Sequence, residues 1–279
     1  MTVRNVLVAF NDSPSSAMAL KAALIFQEKF DTHVTGLAAF GLTRLSNQVK
    51  GWLPDGVHTA LKDAEAKLHE DVAAKWSHLS SGKCLPEKTH WLQLPGDVDT
   101  NVIEQGRYFD LIFIGQYDTS TSDRQTILHP DRIALQSGKP VIHVPAAFDP
   151  GPINDHLIFA WDGKRAAARA LGDALNLLGE AQRISVLTVS EGEQAVQSSV
   201  SQLLLHLERH GVQADHLAVR VKKKGHRSIA EAIMSTCQDL HPDILIMGAY
   251  EHSKFREDTF GGVTETILKE ASMPVWMAH

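Results

Sequence analysis

Short apolar runs alternate with longer amphipathic segments along the whole chain. The run VRNVLVAF is followed by SSAMALKAALIFQEKF, where apolar side chains recur at helical spacing: Ala19, Ala22, Ala23 and Phe26. The strand-like runs THVTGLAAF, HWLQL, DLIFIG and PVIHVP come next, with a helical pattern from Leu61 to Trp76 after the first of them. Strands separated by helices of this size predict a parallel sheet with helices on both faces.

The same succession of strands recurs after the Pro/Gly-rich segment AAFDPGPINDH. HLIFAWDG corresponds to VRNVLVAFNDS, RISVLTVS to THVTGLAAF, and DHLAVRV to HWLQL. DILIMGAY then corresponds to DLIFIGQY, and MPVWMAH to KPVIHVP. Because such a joint is typical of a domain boundary, the sequence predicts two tandem α/β domains, 1–148 and 154–279. Each is predicted to contain a five-stranded parallel sheet of the doubly wound, Rossmann-like type.

The spacing of matching residues places an insertion in the first half. Asn11 corresponds to Asp162, 151 residues later, whereas Gly115 corresponds to Gly248, 133 residues later. The first half therefore holds 18 more residues between these landmarks, and we assign them to 41–58, GLTRLSNQVKGWLPDGVH. Ligands bind at this edge of a parallel sheet, so the insertion is either a lid or packing between the halves.

Composition excludes several classes of function. A formal net charge of −6 argues against nucleic-acid binding, which needs a concentrated positive field. Cys84 and Cys237 are the only cysteines, too few for a disulfide framework or a cysteine-rich zinc site. No window approaches the roughly 18 apolar residues of a membrane span, and the start MTVRNVLVAFNDS lacks a secretory signal pattern. We therefore expect a cytoplasmic protein that contacts neither membrane nor nucleic acid.

Three segments of the second half resemble the universal stress protein family: FAWDG, DILIMG and GGVTETILKEASMPVWM. With the duplication, the chain is similar to the tandem members of that family. The resemblance implies an adenine nucleotide alpha hydrolase-like fold and, in many members, ATP binding through a G-x2-G-x9-G-[S/T] loop. It also implies pairing through the last strands, so that the two halves form an intrachain pseudo-dimer. Whether two whole chains associate stays open.

The loop motif fits the second half in part. Gly248 and Gly261 match the first and third positions, while Glu251 replaces the second glycine and Gly262 the Ser/Thr. By resemblance, the adenosine end would lie at the ends of the first two strands. The predicted nucleotide-binding residues are Ala160, Trp161, Asp162, Val189, Met247, Gly248, Glu251, Gly261, Gly262, Val263 and Thr264.

Opposing electrostatic effects meet at this predicted site. Gly261 and Gly262 leave backbone N–H groups bare at a helix start, and the helix dipole favours an anion by about 0.3–1 kcal/mol. Glu251 at ~4 Å from a phosphate would oppose binding by about 4 kcal/mol at an effective dielectric of ~20. It could instead turn toward Lys254 or Arg256, or share Mg²⁺ with the phosphates. We therefore predict a weakened site for ATP or a related adenine nucleotide.

Asp162 has two compatible interpretations. Its carboxylate can accept from an adenine amino group or a ribose hydroxyl. Equally, Asp162-Gly163 can be a strand-ending turn that caps the next helix.

The first half is predicted to have lost the site. Asp118 stands at the second glycine position, Leu128 at the third, and Asn11 where the second half has Asp162. Without bare backbone at the helix start, phosphate has no binding mechanism there. This half is expected to be a degenerate structural partner or to hold a different ligand.

Other motifs predict no catalytic residue and no metal site. No Gly-Lys pair continues as a Walker loop, and no serine has the G-x-S-x-G setting. His206 and His210 have a metal-binding spacing, but a solvated helix face is favoured. Lys222, Lys224 and Arg227 in VRVKKKGHR could lean toward a phosphate, although such a run is more often a charged exit from a strand. Any ATP hydrolysis is expected to be slow.

Two hypotheses for function remain. In the first, a stress-response protein binds an adenine nucleotide in its C-terminal domain. In the second, a stress protein without nucleotide uses the cleft or the 41–58 insertion for an apolar ligand or a protein partner. Glu251 and Asp118, acidic at the same position of both loops, favour the second hypothesis.

Overall fold

A computed structural model describes residues 3–40, 55–81, 85–116, 128–148, 151, 153–191, 197–249 and 262–279. Strands and helices alternate through the described part of the chain. The strands are β1 Asn5–Ala9, β2 His33–Phe40, β3 Thr89–Pro95, β4 Leu111–Gly115, β5 Val141–Val144, β6 His156–Ala160, β7 Arg183–Glu191, β8 Asp215–Val221, β9 Ile244–Gly248 and β10 Val275–Ala278. The helices are α1 Pro14–Phe30, α2 Asp55–Ser80, α3 Val98–Gly106, α4 Pro130–Gln136, α5 Arg165–Gly179, α6 Gln197–Arg209, α7 His226–Leu240 and α8 Val263–Glu270.

The described residues form two compact units, Val3–Lys139 and Pro140–His279. In the first unit the strand order is β3-β2-β1-β4, and the pairs are parallel. In the second unit the order is β5-β10-β9-β6-β7-β8, with β5 antiparallel to β10 and the other pairs parallel. The predicted α/β fold with alternating helices and a mostly parallel sheet is confirmed.

The fifth strand of the first half pairs with the last strand of the second. In β5, His143 lies opposite Val275 of β10, and Ile142 lies opposite Trp276. This pairing places β5 in the second unit, so the compact units divide between Lys139 and Pro140. The boundaries predicted from the sequence, 1–148 and 154–279, stay a prediction.

Corresponding hydrogen bonds repeat in the two units. The Asp110 carboxylate accepts from the backbone N–H groups of Arg4 and Asn5, at 2.8 and 3.0 Å, where β1 begins. Asp243 accepts in the same way from the two N–H groups that open β6. The duplication inferred from the order of the strands is therefore also present in the contacts that align them.

The first-half insertion is partly helical. Its residues 41–54 lie outside the described residues, but residues 55–58 begin α2. That helix was predicted to start at Leu61 and starts instead at Asp55, and it has 26 residues against 13 in α6. Part of the extra length therefore extends a helix.

The burial of each strand follows its position in the sheet. In the inner strands β1 and β4, residues Val6–Ala9 and Leu111–Ile114 are fully buried. The outer strands β3 and β8 have only half-buried and exposed positions. Buried parallel strands are continuously apolar because helices cover both faces. None of the helices in the described ranges has the length and apolar character needed to cross a bilayer.

Candidate functional site

The carboxyl edge of the second unit brings three predicted residues onto neighbouring strands. Ala160 ends β6, and its register partners are Leu187 on β7 and Met247 on β9. Val189 lies two residues beyond Leu187 on β7. Ala160 and Val189 pack against one apolar cluster that includes Met247, and so does Val263 at the start of α8. The predicted adenosine end and the start of the α8 helix thus share one apolar base.

Trp161 continues β6 by one residue. Its backbone N–H donates to the carbonyl of Leu187 at 2.8 Å, and its ring lies 5.7 Å from that of Phe159. The residue is half-buried, but its indole Nε1 is buried and has no hydrogen-bond partner among the described residues. An unsatisfied buried donor costs about 1–3 kcal/mol, so a ligand acceptor at this nitrogen would be favourable.

Asp162 forms the turn that ends the strand. Its Oδ1 accepts from the backbone N–H of Lys164 at 3.0 Å, and Gly163 has a φ of +78°, which favours glycine. The strand-ending turn is therefore present, but Asp162 does not cap the next helix, because the N-cap of α5 is Lys164 and that N-cap has no side-chain hydrogen bond. The side chain remains exposed and can still reach a ligand.

Gly248 has a packing function that the motif does not reveal. A Cβ atom there would lie 2.5 Å from the backbone nitrogen of Ala167 in the first turn of α5. In the first unit a Cβ on Gly115 would overlap the backbone of Ser15, in the first turn of α1. Both glycines let a helix start lie against the end of a strand, so this motif position alone does not indicate a ligand.

The α8 helix starts with bare backbone. Its N-cap is Gly262, with no side-chain hydrogen bond, and among the described residues a Cβ at this position would meet no atom within 4 Å. Thr264, in the first turn, is buried. The motif positions Glu251 and Gly261 lie outside the described residues. Lys254 and Arg256, the candidate partners of Glu251, lie outside them as well.

A polar network fixes the chain just beyond Gly248. The Nδ1–H group of His279 donates to the carbonyl of Ala249 at 2.9 Å, and Nη2 of Arg165 donates to Nε2 of His279 at 3.3 Å. Since a guanidinium can only donate, Nε2 must accept and Nδ1 must carry the proton. These residues are far apart in sequence and follow no motif, so the pattern gave no signal for the network.

The cationic run after β8 is engaged with carboxylates. Arg227 donates to Glu231 at 2.8 Å and lies 3.9 Å from Glu270. The backbone N–H of Gly225, which caps α7, donates to Glu191 at 2.7 Å. Lys222 and Lys224 are exposed. These contacts agree with the interpretation that the sequence favours, in which the run is a charged exit from strand β8.

In the first unit a carboxylate lies at the start of the corresponding helix, α4. Asp99 is 2% exposed, and its oxygens accept from the backbone N–H of His129 at 3.0 Å and from the ring Nδ1 at 2.7 Å. Nη1 of Arg132 lies 3.4 Å from the same carboxylate. The predicted position Leu128 is buried, while Asp118 lies outside the described residues. The Asp99 carboxylate thus lies at the helix start that Gly262 occupies in the second unit.

Aromatic rings fill the other end of the first-unit edge. Phe10 corresponds to Trp161 and is 1% exposed. The rings of Trp76 and Trp91 lie 5.4 and 6.1 Å from it, both edge-on, and the Trp76 ring also covers Gly36 of β2. Asn11, at the position of Asp162, accepts from the backbone N–H of Ser13 at 3.2 Å. The first-unit edge is therefore packed with its own side chains.

The comparison with protein families decides the identity of the second half. Residues 154–279 match the universal stress protein family model. The C-terminal half belongs to the universal stress protein family. Universal stress protein Slr1230 of Synechocystis sp. is 25% identical over 224 residues, which covers 74% of each chain.

Solved structures extend the universal stress protein fold over both halves. A universal stress protein from Archaeoglobus fulgidus covers 100% of this chain and 99% of its own, with a TM-score of 0.75 at 15% identity. Protein PA1789 from Pseudomonas aeruginosa, described as functionally unknown, covers 99% of this chain and 92% of its own, with a TM-score of 0.57 at 17% identity. The predicted membership of the universal stress protein family is confirmed for the C-terminal half, and the predicted fold extends over both halves.

Proposed function

We propose that the C-terminal universal stress protein domain binds one adenine nucleotide, ATP or a related molecule, with or without Mg²⁺. The observation that carries this proposal is the start of α8, where Gly262 caps the helix without a side chain and where no atom of the described residues lies within 4 Å of the position of a Cβ. Accessible N–H groups at a helix start favour phosphate oxygens. The N-terminal half is a degenerate partner that holds no nucleotide, and pairing of β5 with β10 joins the two halves as a pseudo-dimer.

The adenosine end of the proposed site combines an apolar base with polar groups. Ala160, Val189 and Met247 supply apolar surface on three adjacent strands. The Trp161 indole adds an unused N–H donor, and the exposed Asp162 carboxylate can accept from a ribose hydroxyl or the adenine amino group. A few polar groups on an apolar floor are typical of small-molecule sites.

No catalytic role follows from this arrangement. The proposed site orients and holds a nucleotide, and the sequence motifs assign none of its residues a catalytic role. We therefore assign nucleotide-dependent stress-response signalling, with hydrolysis slow or absent.

Titration calorimetry with Mg-ATP tests the proposal, because the duplication supplies a matched control. Asp162→Ala removes the carboxylate of the proposed site, and Asn11→Ala alters the corresponding position of the first half. Binding of one ATP per chain, weakened at least tenfold by Asp162→Ala and unchanged by Asn11→Ala, supports the proposal. The reverse pattern would assign the nucleotide to the first half and overturn it.

A stress protein without nucleotide is the second candidate function. Gly248 packs against α5, and Asp162 caps a turn, so both residues have functions that need no ligand. The candidate would use the cleft or the 41–58 insertion for an apolar ligand or a protein partner. Absence of heat up to millimolar Mg-ATP would favour it.

A further inference from the structure

Two histidine rings meet on the surface of the first unit, at the amino ends of β2 and β3. His33 Nδ1 and His90 Nε2 lie 3.1 Å apart, and the rings are nearly parallel, with an interplanar angle of 10° and centroids 5.4 Å apart. Both residues are exposed. The pair lies at the opposite end of these strands from the first-unit edge that holds Phe10 and Asn11.

The fold does not require this pair. In the second unit Arg183 stands at the position of His33, and Asp215 at the position of His90, as the strand registers define it. A simple reading is that one ring donates a hydrogen bond to the other. The same atoms, however, also have the arrangement of a chelating pair.

The separation of the two nitrogens is close to that of metal ligands. Two imidazole nitrogens bound to one tetrahedral ion at about 2.0–2.1 Å lie about 3.3 Å apart. Rotation of the exposed rings about their side-chain bonds would direct both lone pairs at one ion. The strands beneath are paired from Val34–Thr89 to Phe40–Pro95, which holds the ligand backbones in register.

We propose that His33 and His90 form a surface site for a borderline divalent cation such as Cu²⁺, Ni²⁺ or Zn²⁺. Imidazole suits these ions, whereas Mg²⁺ and Ca²⁺ require oxygen ligands. No group of three or more His, Cys, Asp or Glu side chains suited to a metal occurs in the described residues, so the bound ion keeps coordination positions open to solvent.

The charges around the pair set the selectivity and limit the affinity. The Asp31 carboxylate, two residues before His33, is paired with the ammonium group of Lys88. A carboxylate engaged in this way is not offered to a bound ion. The site therefore disfavours hard cations, which need oxygen ligands, and two imidazoles alone give a moderate affinity.

A second histidine pair supplies the rival site for the test. His206 and His210 lie one turn apart at the end of α6, with ring centroids 4.7 Å apart and planes tilted by 56°. Both are exposed, and their spacing can also hold a metal ion. Their double replacement leaves the number of histidines equal to that in the His33/His90 double variant.

Titration of the full-length protein with Cu²⁺ in the presence of a chromophoric chelator distinguishes the two pairs. We expect the highest-affinity site to weaken at least tenfold in His33→Asn/His90→Gln and to be unchanged in His206→Asn/His210→Gln. Electron paramagnetic resonance of the first Cu²⁺ bound should show two imidazole nitrogens. Retention of that site in the first variant, or its loss in the second, would overturn the proposal. Circular dichroism checks that both exposed double variants remain folded.

Discussion

The buried carboxylate of Asp99 accepts a hydrogen bond from the backbone N–H of His129, at 3.0 Å, where helix α4 begins. In the second unit the corresponding helix, α8, begins at Gly262 without any side-chain cap. Both helices follow the fourth strand of their half. The start of α4 thus already has the Asp99 carboxylate as its acceptor, whereas the start of α8 has only a glycine cap.

Replacing Asp99 should destabilise the first unit. Asp99→Ala would remove the carboxylate that accepts from the backbone N–H and the ring Nδ1 of His129, and the loss of such an acceptor costs about 1–3 kcal/mol. Urea unfolding should show a loss of that size, against less than about 0.5 kcal/mol for the exposed Glu104→Ala on the same helix. Equal stability of the two variants would contradict the assigned role of Asp99.

The two motif glycines of the second half should respond differently to a methyl group. In Gly248→Ala the new Cβ overlaps the backbone of α5, so we expect a loss of at least about 2 kcal/mol in the free energy of unfolding. In Gly262→Ala the new Cβ meets no atom of the described part of the chain, and the φ of −73° is ordinary, so the expected cost is that of a poorer N-cap, about 1 kcal/mol or less. Thermal unfolding of both variants gives the comparison, and a reversed order would refute the packing role of Gly248.

His143 should make the protein less stable in mild acid. It lies buried on β5, and burial lowers its pKa to about 4. The unfolded chain takes up this proton near pH 6.5 and the folded chain only near pH 4. The contribution of neutral His143 to the free energy of unfolding is therefore complete above about pH 6.5. It declines by about 3 kcal/mol as the pH falls to 4.

The variant that tests this pH dependence is His143→Leu, which lacks the titrating imidazole. Its free energy of unfolding should change less than that of the wild type between pH 7 and 4, while the exposed His78→Gln should follow the wild type. Parallel curves for the wild type and His143→Leu would show that this buried imidazole does not control acid stability.

Cys237 should be unreactive in the folded protein. It is 1% exposed, and burial raises the pKa of its thiol to about 12, so almost no thiolate is present at neutral pH. In a Cys84→Ser background, a thiol reagent should label Cys237 only in denaturant. Rapid stoichiometric labelling under native conditions would contradict the buried position on α7.

Glu251 carries the electrostatic part of the nucleotide proposal. Removing its charge in Glu251→Gly should tighten ATP binding by at least tenfold, because about 4 kcal/mol of repulsion is expected at ~4 Å and an effective dielectric of ~20. Calorimetry at two salt concentrations measures this effect. Weaker binding in the variant would mean that Glu251 helps to hold the ligand, for instance through Mg²⁺.

The sequence was sufficient to predict the repeated strands and their parallel order. Apolar runs such as DLIFIG and DILIMG mark the buried fourth strands, and landmarks such as Gly115 and Gly248 align the two halves. The start of the α2 helix was predicted six residues too late because residues 55–60, which begin the helix, have no helical apolar pattern.

Contacts between distant residues were beyond the reach of the pattern. Asp99 and His129 are 30 residues apart, and neither belongs to a recognised motif. The packing of Trp76 on Gly36 depends on how α2 lies over the sheet. The pairing of β5 with β10 was expected only from the family resemblance, not from the pattern of residues. The two candidate sites thus differ most in contacts between residues that are distant in sequence.

A crystal structure of the protein grown with excess Mg-ATP tests the central claim most directly. We predict electron density for one nucleotide per chain, with its phosphates at the N–H groups of the α8 start and its base beside Trp161, and none at the Asp99 edge. An empty second-half edge in such crystals, or a nucleotide at the first-half edge, would contradict the claim.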